Sequence, residues 1–259
     1  MHSVIIGSNG LIAPVLIKSL KKLGHQVTAL HHNDKIDIKD AEYIFYVASY
    51  GNQYHQKEPE LIMKANVLDY ITLLKATRNI AYKALIYFST SSVSLPIQTD
   101  YSESKSIGEV LSRGAAKKYM KPIISVRPYS VYGEGEADNR FFPTLIRHSK
   151  SGEPMPFSDG WHDWIYVQDF VDALILVVQN APKFIGKVVQ IGTGKQTSNQ
   201  EIVDMMNIIS GGNLHKVESK EAKRPYDTQN WVADVTSLKA LGWEPKYTVY
   251  EGLSKMYEK

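Results

Sequence analysis

The chain has 259 residues, 43% of them hydrophobic, with 30 basic and 27 acidic side chains and a net charge of +3. That length suits one α/β unit or two lobes sharing a core, and a mild positive bias without any basic cluster fits an anionic ligand and not nucleic acid. There is no cysteine, which excludes disulfides and thiolate metal sites and leaves the compartment open.

Ser3–Ile6 reads as a short buried strand. Gly7-Ser-Asn-Gly10-Leu11-Ile12-Ala13 follows, and an amphipathic run from Leu11 to Leu23 predicts a helix closed at Gly24. Pro14 falls in the first helical turn, where its missing N–H costs little. This apolar start is broken by glycines and lacks a basic leader, so it reads as strand plus helix, with no signal peptide and no membrane span. A cytoplasmic setting is therefore expected. Strand, glycine turn and helix in this order form the context of a dinucleotide fingerprint. Gly7 and Gly10 would let the backbone approach a pyrophosphate resting on the helix N-terminus, and Ala13 would let helix and strand pack closely.

Further strands are predicted at Val27–Leu30, Tyr43–Val47, Ala84–Phe88, Ile123–Val126 and Val188–Ile191. Their continuous hydrophobicity fits a parallel sheet covered on both faces. Helices are predicted at Leu61–Thr77, Ser102–Tyr119 and Val167–Gln179, with Leu61, Ala65, Leu68 and Ile71 recurring at helical spacing as core residues. After Tyr132 the texture changes. Gly133–Asn139 is a polar loop, and Phe141–Ser149, Asn199–Ser210 and Tyr250–Glu258 read as helices of a smaller lobe. The expected division is 1–132 with 163–194 as a nucleotide-binding domain, and 133–162 with 195–259 as a substrate-binding lobe.

Tyr101-Ser-Glu-Ser-Lys105 places a tyrosine and a lysine on one helical face. Oxidoreduction at a carbon bearing a hydroxyl needs such a pair. The phenol must exchange a proton with the alcohol oxygen, yet free tyrosine titrates at about 10. A nearby ammonium favours the phenolate and lowers that value. The eight histidines show no metal-ligand spacing, and no metal is expected.

The glycine turn and the Tyr101/Lys105 pair, in this order, resemble the extended short-chain dehydrogenase/reductase family of nucleotide-sugar epimerases, dehydratases and reductases. Phe88-Ser-Thr-Ser-Ser-Val93 is similar to the family's strand end with its catalytic hydroxyl. Ser91 matches that residue by position, with Ser89, Thr90 and Ser92 beside it. Arg127-Pro-Tyr-Ser-Val-Tyr-Gly133, Asp163-Trp-Ile-Tyr-Val-Gln-Asp169, Val189-Gln-Ile-Gly-Thr-Gly194, Ala233-Asp-Val and Leu241-Gly-Trp-Glu-Pro245 with Glu251-Gly-Leu253 resemble further family segments in order. The resemblance implies a Rossmann-like, doubly wound parallel sheet with a smaller C-terminal lobe. It implies Tyr101 as acid/base, Lys105 as its partner, and Ser91 as the hydrogen-bond donor to the substrate oxygen. Implied cofactor contacts are Gly7, Asn9, Gly10, Leu11 and Ile12 in the first turn, and His31 after strand two. Asp37 and Ile38, from a third-strand-like Ile36-Asp-Ile38, would lie near the adenine. Val47, Ala48 and Ser49, Tyr101 and Lys105, and Tyr129 with Val131 complete the set. Ser92, Ser130 and Arg224 are implied toward the substrate.

The chain departs from the family pattern in places. His31 holds the position where an acidic residue usually meets the ribose hydroxyls. With Lys35 close by, the cofactor is read as NAD(P) with a slight lean to NADP. Ser130 and His162 stand where many members have an Asn and an Arg, while Arg224-Pro-Tyr-Asp227 keeps one arginine. No Asp-Glu pair follows Ser91, which argues against a 4,6-dehydratase. The expected function is an epimerase or keto-reductase acting on a nucleotide-linked sugar. A homodimer is expected through the helices at Leu61–Thr77 and Ser102–Tyr119. Two other readings stay open: an NADP-binding sensor or assembly factor without catalysis, and a reductase of a non-sugar carbonyl.

Overall fold

The computed structural model describes residues 1–31, 34–53, 55–212, 214–218 and 230–259. Two compact units emerge, Met1–Pro128 with Val171–Ile191, and Tyr129–Phe170 with Gly192–Lys259. In chain order the first stretch carries β1 (His2–Ile6), α1 (Ile12–Lys22), β2 (Gln26–Leu30), β3 (Tyr43–Tyr46), α2 (Pro59–Met63) and α3 (Asp69–Ala76). It continues with β4 (Ala84–Phe88), α4 (Asp100–Tyr119) and β5 (Ile123–Pro128). There follow β6 (Ser130–Tyr132), α5 (Phe141–Ser151), β7 (Met155–Phe157), β8 (Trp161–His162), β9 (Trp164–Tyr166), α6 (Val167–Gln179) and β10 (Val188–Ile191). The C-terminal part holds β11 (Thr197–Ser198), α7 (Asn199–Ser210), β12 (Lys216–Glu218), α8 (Thr236–Lys239) and α9 (Val249–Tyr257).

The first unit is built on a six-stranded sheet in the order β2-β1-β3-β4-β5-β10, with every neighbouring pair parallel. It is the Rossmann-like sheet the resemblance implied. The winding reverses between β1 and β3, so the crevice at the carboxyl ends of these strands is the switch point where such sheets bind ligands. The apolar runs of β1, β3, β4 and β5 are buried on both faces, and Ala84–Tyr87 are inaccessible throughout. β2 differs. It is the sheet edge, with Gln26, Thr28 and Ala29 exposed. The cause lies in the next segment. Ile36-Asp37-Ile38 forms no strand; Ile36 and Ile38 only pack into the core, and Asp37 stays exposed. The third-strand reading of that segment is therefore corrected.

The single helix expected at Leu61–Thr77 is two α-helices joined by a π-helical turn, Lys64–Leu68. The buried face is set before that turn, where Ile62 points inward and Leu61 outward. The buried stripe is Ile62, Asn66, Tyr70 and Leu73, whereas Leu61 and Leu68 are 47% and 57% exposed. The core assignment of Leu61 and Leu68 is thus overturned. Inside, Tyr46, Tyr70 and Tyr87 pack together, with Tyr70 and Tyr87 ring centroids 4.4 Å apart. Thr99 and Ser102 form a capping box that starts α4 in register.

In the second unit three two-stranded pairings, β6 with β9, β8 with β11 and β7 with β12, accompany α5, α7 and α9. Its centre is Tyr132, stacked on Phe142 with centroids 4.1 Å apart. The fully buried Asp163 carboxylate accepts from the backbone N–H groups of Thr193, Gly194 and Ala233. Three of the family-like segments therefore meet on one buried acid. No described helix is long and apolar enough to cross a membrane.

Candidate active site

The first turn of α4 carries Tyr101, half-buried, and the next carries Lys105, only 1% exposed. The Lys105 ammonium is aimed at the strand ends. Nζ donates to the carbonyl of Phe88, the last residue of β4, at 2.8 Å, and to that of Ala48, just past β3, at 3.4 Å. The Tyr87 ring lies 5.2 Å from it. Burial pulls the Lys105 pKa down to about 7. The two carbonyls and the ring face work the other way, favouring the charged form. A phenol and a buried ammonium, whose pKa burial lowers, thus sit one helical turn apart.

β4 ends in four hydroxyl residues, and their bonding separates them. Ser89 Oγ donates to Glu109 Oε1 at 2.6 Å. Thr90 Oγ1 accepts the Ser92 N–H and donates to Ser92 Oγ, both at 3.2 Å. Thr90 thereby caps the short 3-10 turn Ser91–Ser94. Ser91 opens that turn and is the hydroxyl of the four without a hydrogen-bond partner among the described residues.

The glycine turn fits a dinucleotide in its details. Gly7 has φ +93°, and a side chain there would collide with the backbone of Ala48. Val47 and Ala48 both donate their N–H to the Ile6 carbonyl, at 2.9 and 2.8 Å, which closes β1 and β3 together at this point. A side chain at Gly10 would meet nothing within 4 Å and would project into open space. α1 begins at Ile12 behind Leu11, with no side-chain cap and no acid in its first turn. Its free N–H groups and positive end suit an anion. Asn9 Oδ1 lies 2.8 Å from His31 Nδ1 and so joins the turn to the end of β2. Beyond His31, the Asp34 carboxylate folds back to accept the His31 N–H at 2.7 Å. Ser49 is exposed, and Ile38 is buried beneath the surface.

In the second unit Tyr129 is buried, with Ser130 and Val131 partly so. Ser130 Oγ lies 3.5 Å from His162 Nδ1, so the two departures from the family pattern are neighbours. His162 packs against Trp164 and Trp231, at centroid distances of 4.8 and 5.2 Å. Arg224 lies outside the described residues, as does His32. Among the described residues no group of three or more His, Asp or Glu gathers as metal ligands.

Asn66 escaped the sequence reading. Fully buried in the π turn, it accepts the Tyr50 N–H at 3.0 Å and donates to the Tyr50 carbonyl at 2.8 Å and to Ser104 Oγ at 2.9 Å. It fastens the loop after β3 to the turn of α4 beside Lys105. A lone amide in an otherwise apolar helical stripe was the available signal.

The family model described as NAD dependent epimerase/dehydratase matches residues 3–192. A Haloferax volcanii low-salt glycan biosynthesis protein, Agl12, is 31% identical over 156 residues, 59% of this chain and 49% of that protein. CDP-abequose synthase of Salmonella typhimurium is 24% identical over 294 residues, 100% of this chain and 98% of that enzyme. The matches with several other relatives, including a Xanthomonas campestris dTDP-glucose 4,6-dehydratase, span about half of the relative or less. Among solved structures, the Bacillus cereus UDP-glucuronic acid 4-epimerase in complex with UDP-glucuronic acid and NAD superposes with a TM-score of 0.86 at 22% identity, covering 100% of this chain and 98% of that one. Bordetella bronchiseptica WbmF in complex with NADH gives 0.85 at 24% identity, covering 99% and 90%. At these identities the likeness speaks for the fold.

Proposed function

Because the chain belongs to the NAD dependent epimerase/dehydratase family, we propose that it is a cytoplasmic oxidoreductase acting at a ring carbon of a nucleotide-linked sugar, as a 4-epimerase or a 4-keto reductase. The observation that carries this reading is the Lys105 ammonium buried at the ends of β3 and β4 one helical turn from Tyr101 on α4, with the unpartnered Ser91 hydroxyl just past β4. A bound nicotinamide supplies or takes the hydride. The chain's own groups handle the proton. Tyr101 takes it from the sugar hydroxyl in oxidation and returns it to the ketone oxygen in reduction. Lys105 stabilises the phenolate that this exchange requires. Ser91 donates a hydrogen bond to the same oxygen as charge develops there. Relatives whose names describe nucleotide-sugar chemistry support the substrate class. Ser92, Ser130 and Arg224 remain proposed substrate contacts, and the residues of the glycine turn, the β3 loop and Tyr129–Val131 proposed cofactor contacts.

The lean toward NADP finds no support. The solved relatives named above carry NAD or NADH. A carboxylate, absent at His31 itself, is restored at the β2 end by Asp34. It would repel a 2′-phosphate, so we take the cofactor to be NAD. A homodimer is proposed through α2, α3 and α4, whose surface leaves Leu61, Leu68 and Val110 exposed by 47%, 57% and 55%.

The deciding experiment gives the enzyme and its Tyr101→Phe variant a panel of UDP-, CDP- and dTDP-sugars. The variant is expected to bind NAD normally and to lose nearly all turnover. Net change in the absorbance of reduced cofactor identifies a reductase, and sugar interconversion without it an epimerase. Full activity of Tyr101→Phe would remove the catalytic assignment.

A further inference from the structure

Two turns along α4 from Tyr101 lies Glu109, a buried carboxylate that the proton chemistry does not use. Arg127 on β5 grips it with both arms, Nε donating to Oε1 and Nη2 to Oε2, each at 2.7 Å. Ser89, at the end of β4, donates to the same Oε1 at 2.6 Å. The third arm of the guanidinium, Nη1, donates to Ser94 Oγ at 3.0 Å. One ion pair thus joins α4, β5, the end of β4 and the 3-10 turn. The two serines it holds stand on either side of Ser91. A bidentate carboxylate–guanidinium pair is directional as well as strong. For stability alone, apolar residues of similar volume serve a buried site as well or better. What they cannot supply is a fixed direction and distance between the turn bearing Ser91 and the helix bearing Tyr101 and Lys105.

We propose that Glu109, Arg127 and Ser94 form a positioning clamp that sets the Ser91 hydroxyl against Tyr101. The clamp rests on the reading of Ser91, Tyr101 and Lys105 as the proton-handling group. Its residues act through Ser91 and not on the substrate. A reacting group displaced by about 1 Å can cost up to about a hundredfold in rate, so the clamp's loss shows in kcat and not in binding.

Ser94→Ala is the sharp variant, because it frees the turn and leaves the Glu109–Arg127 pair intact. With the UDP-, CDP- or dTDP-sugar that the parent enzyme turns over, kcat is expected to fall about tenfold. NAD affinity and melting temperature should stay at parent values, and Ser94→Thr should recover most of the rate. Glu109→Gln, which weakens the pair itself, should lose more rate and some stability. Crystal structures of the NAD complexes of parent and Ser94→Ala give a readout that needs no turnover: the distance between the Ser91 and Tyr101 hydroxyls should change or become dispersed. Superimposable hydroxyls with an unchanged kcat would overturn the clamp. So would a rate loss that merely tracks melting temperature and NAD affinity across the variants, since that marks a structural brace. If Tyr101→Phe is inactive while Ser94→Ala is normal, the clamp alone fails. If Tyr101→Phe is fully active, the underlying catalytic reading fails and the clamp with it.

Discussion

Lys105→Met is expected to make the unliganded protein more stable while abolishing turnover. The side chain is wholly buried, and burial lowers its pKa from 10.5 to about 7. At about 1.4 kcal/mol per pH unit, holding this ammonium in the fold costs on the order of 5 kcal/mol at or below pH 7. Methionine fills similar space without a charge. It forfeits the bonds to the Phe88 and Ala48 carbonyls, a loss of about 1 kcal/mol each. The net gain near pH 7 is then roughly 2–3 kcal/mol, or about 5–10 °C in melting temperature for a chain of this size. The sign depends on pH. Between the folded value near 7 and the unfolded value of 10.5, the unfolded chain holds the proton that the folded chain has released, so the parent gains stability as pH rises through this window. The advantage of the variant should shrink across it and reverse near pH 10.5, where only the lost hydrogen bonds remain. Denaturant unfolding of both proteins without cofactor, at pH 7 and pH 10, makes the comparison. A variant less stable than the parent at pH 7, or a gain equal at both values, would refute the account of a strained buried ammonium.

Gly10→Leu should abolish NAD binding and leave the melting temperature unchanged, since its side chain enters open space; Gly7→Ala should instead destabilise the fold by about 3 kcal/mol or more, through positive φ and collision with Ala48. Calorimetric NAD titration beside thermal melts separates the two, and retained NAD affinity in Gly10→Leu would displace the cofactor from this turn. Asp34→Asn should raise NADP affinity about fivefold with little change for NAD, as suits one exposed carboxylate; titration of both cofactors at one ionic strength checks it. Light scattering should find the parent dimeric at micromolar concentration and the Leu68→Asp/Val110→Asp double variant monomeric.

The parts of the fold legible in the sequence were those whose signal is local. Parallel strands buried on both faces read as largely apolar runs, as β1, β3, β4 and β5 do, while the two edge strands β2 and β10 sit at shorter runs interrupted by Thr28 and Gln190. The edge position of β2 was less visible, because it depends on Ile36–Ile38 failing to add a strand beyond it. The helix at Leu61–Thr77 had the right extent and the wrong face. The face differs already ahead of the π turn, where Ile62 is buried and Leu61 exposed; the buried stripe Ile62, Asn66, Tyr70 and Leu73 also has helical spacing, but its polar Asn66 makes it a less apolar choice than Leu61, Ala65, Leu68 and Ile71. The same division runs through the site. Tyr101 with Lys105, and Gly7 with Gly10, are short-range patterns that a sequence displays openly. Glu109 and Arg127 are 18 residues apart on different elements, and nothing in their spacing announces that their side chains meet. The choice of Ser91 among four adjacent hydroxyls likewise needed the bonding of the other three.

The proposed location of the site also fits where the first unit departs from good packing. A fold selected for stability alone would have little reason to bury an ammonium between two carbonyls, and sequences tend to break local rules where function demands it. The other parts of the proposed site lie in the same unit. Lys105 reaches the carboxyl ends of β3 and β4, Ser91 opens the turn after β4, and the uncapped α1 follows β1. The ends of β1 and β3 border the reversal where a doubly wound sheet leaves its crevice, and β4 lies next to β3. Had the tyrosine–lysine pattern arisen by chance on a surface helix, its lysine would extend into solvent, where it would cost nothing. That Lys105 is instead buried, with its ammonium on the carbonyls that end β3 and β4, is the physical argument for the role proposed for the pair.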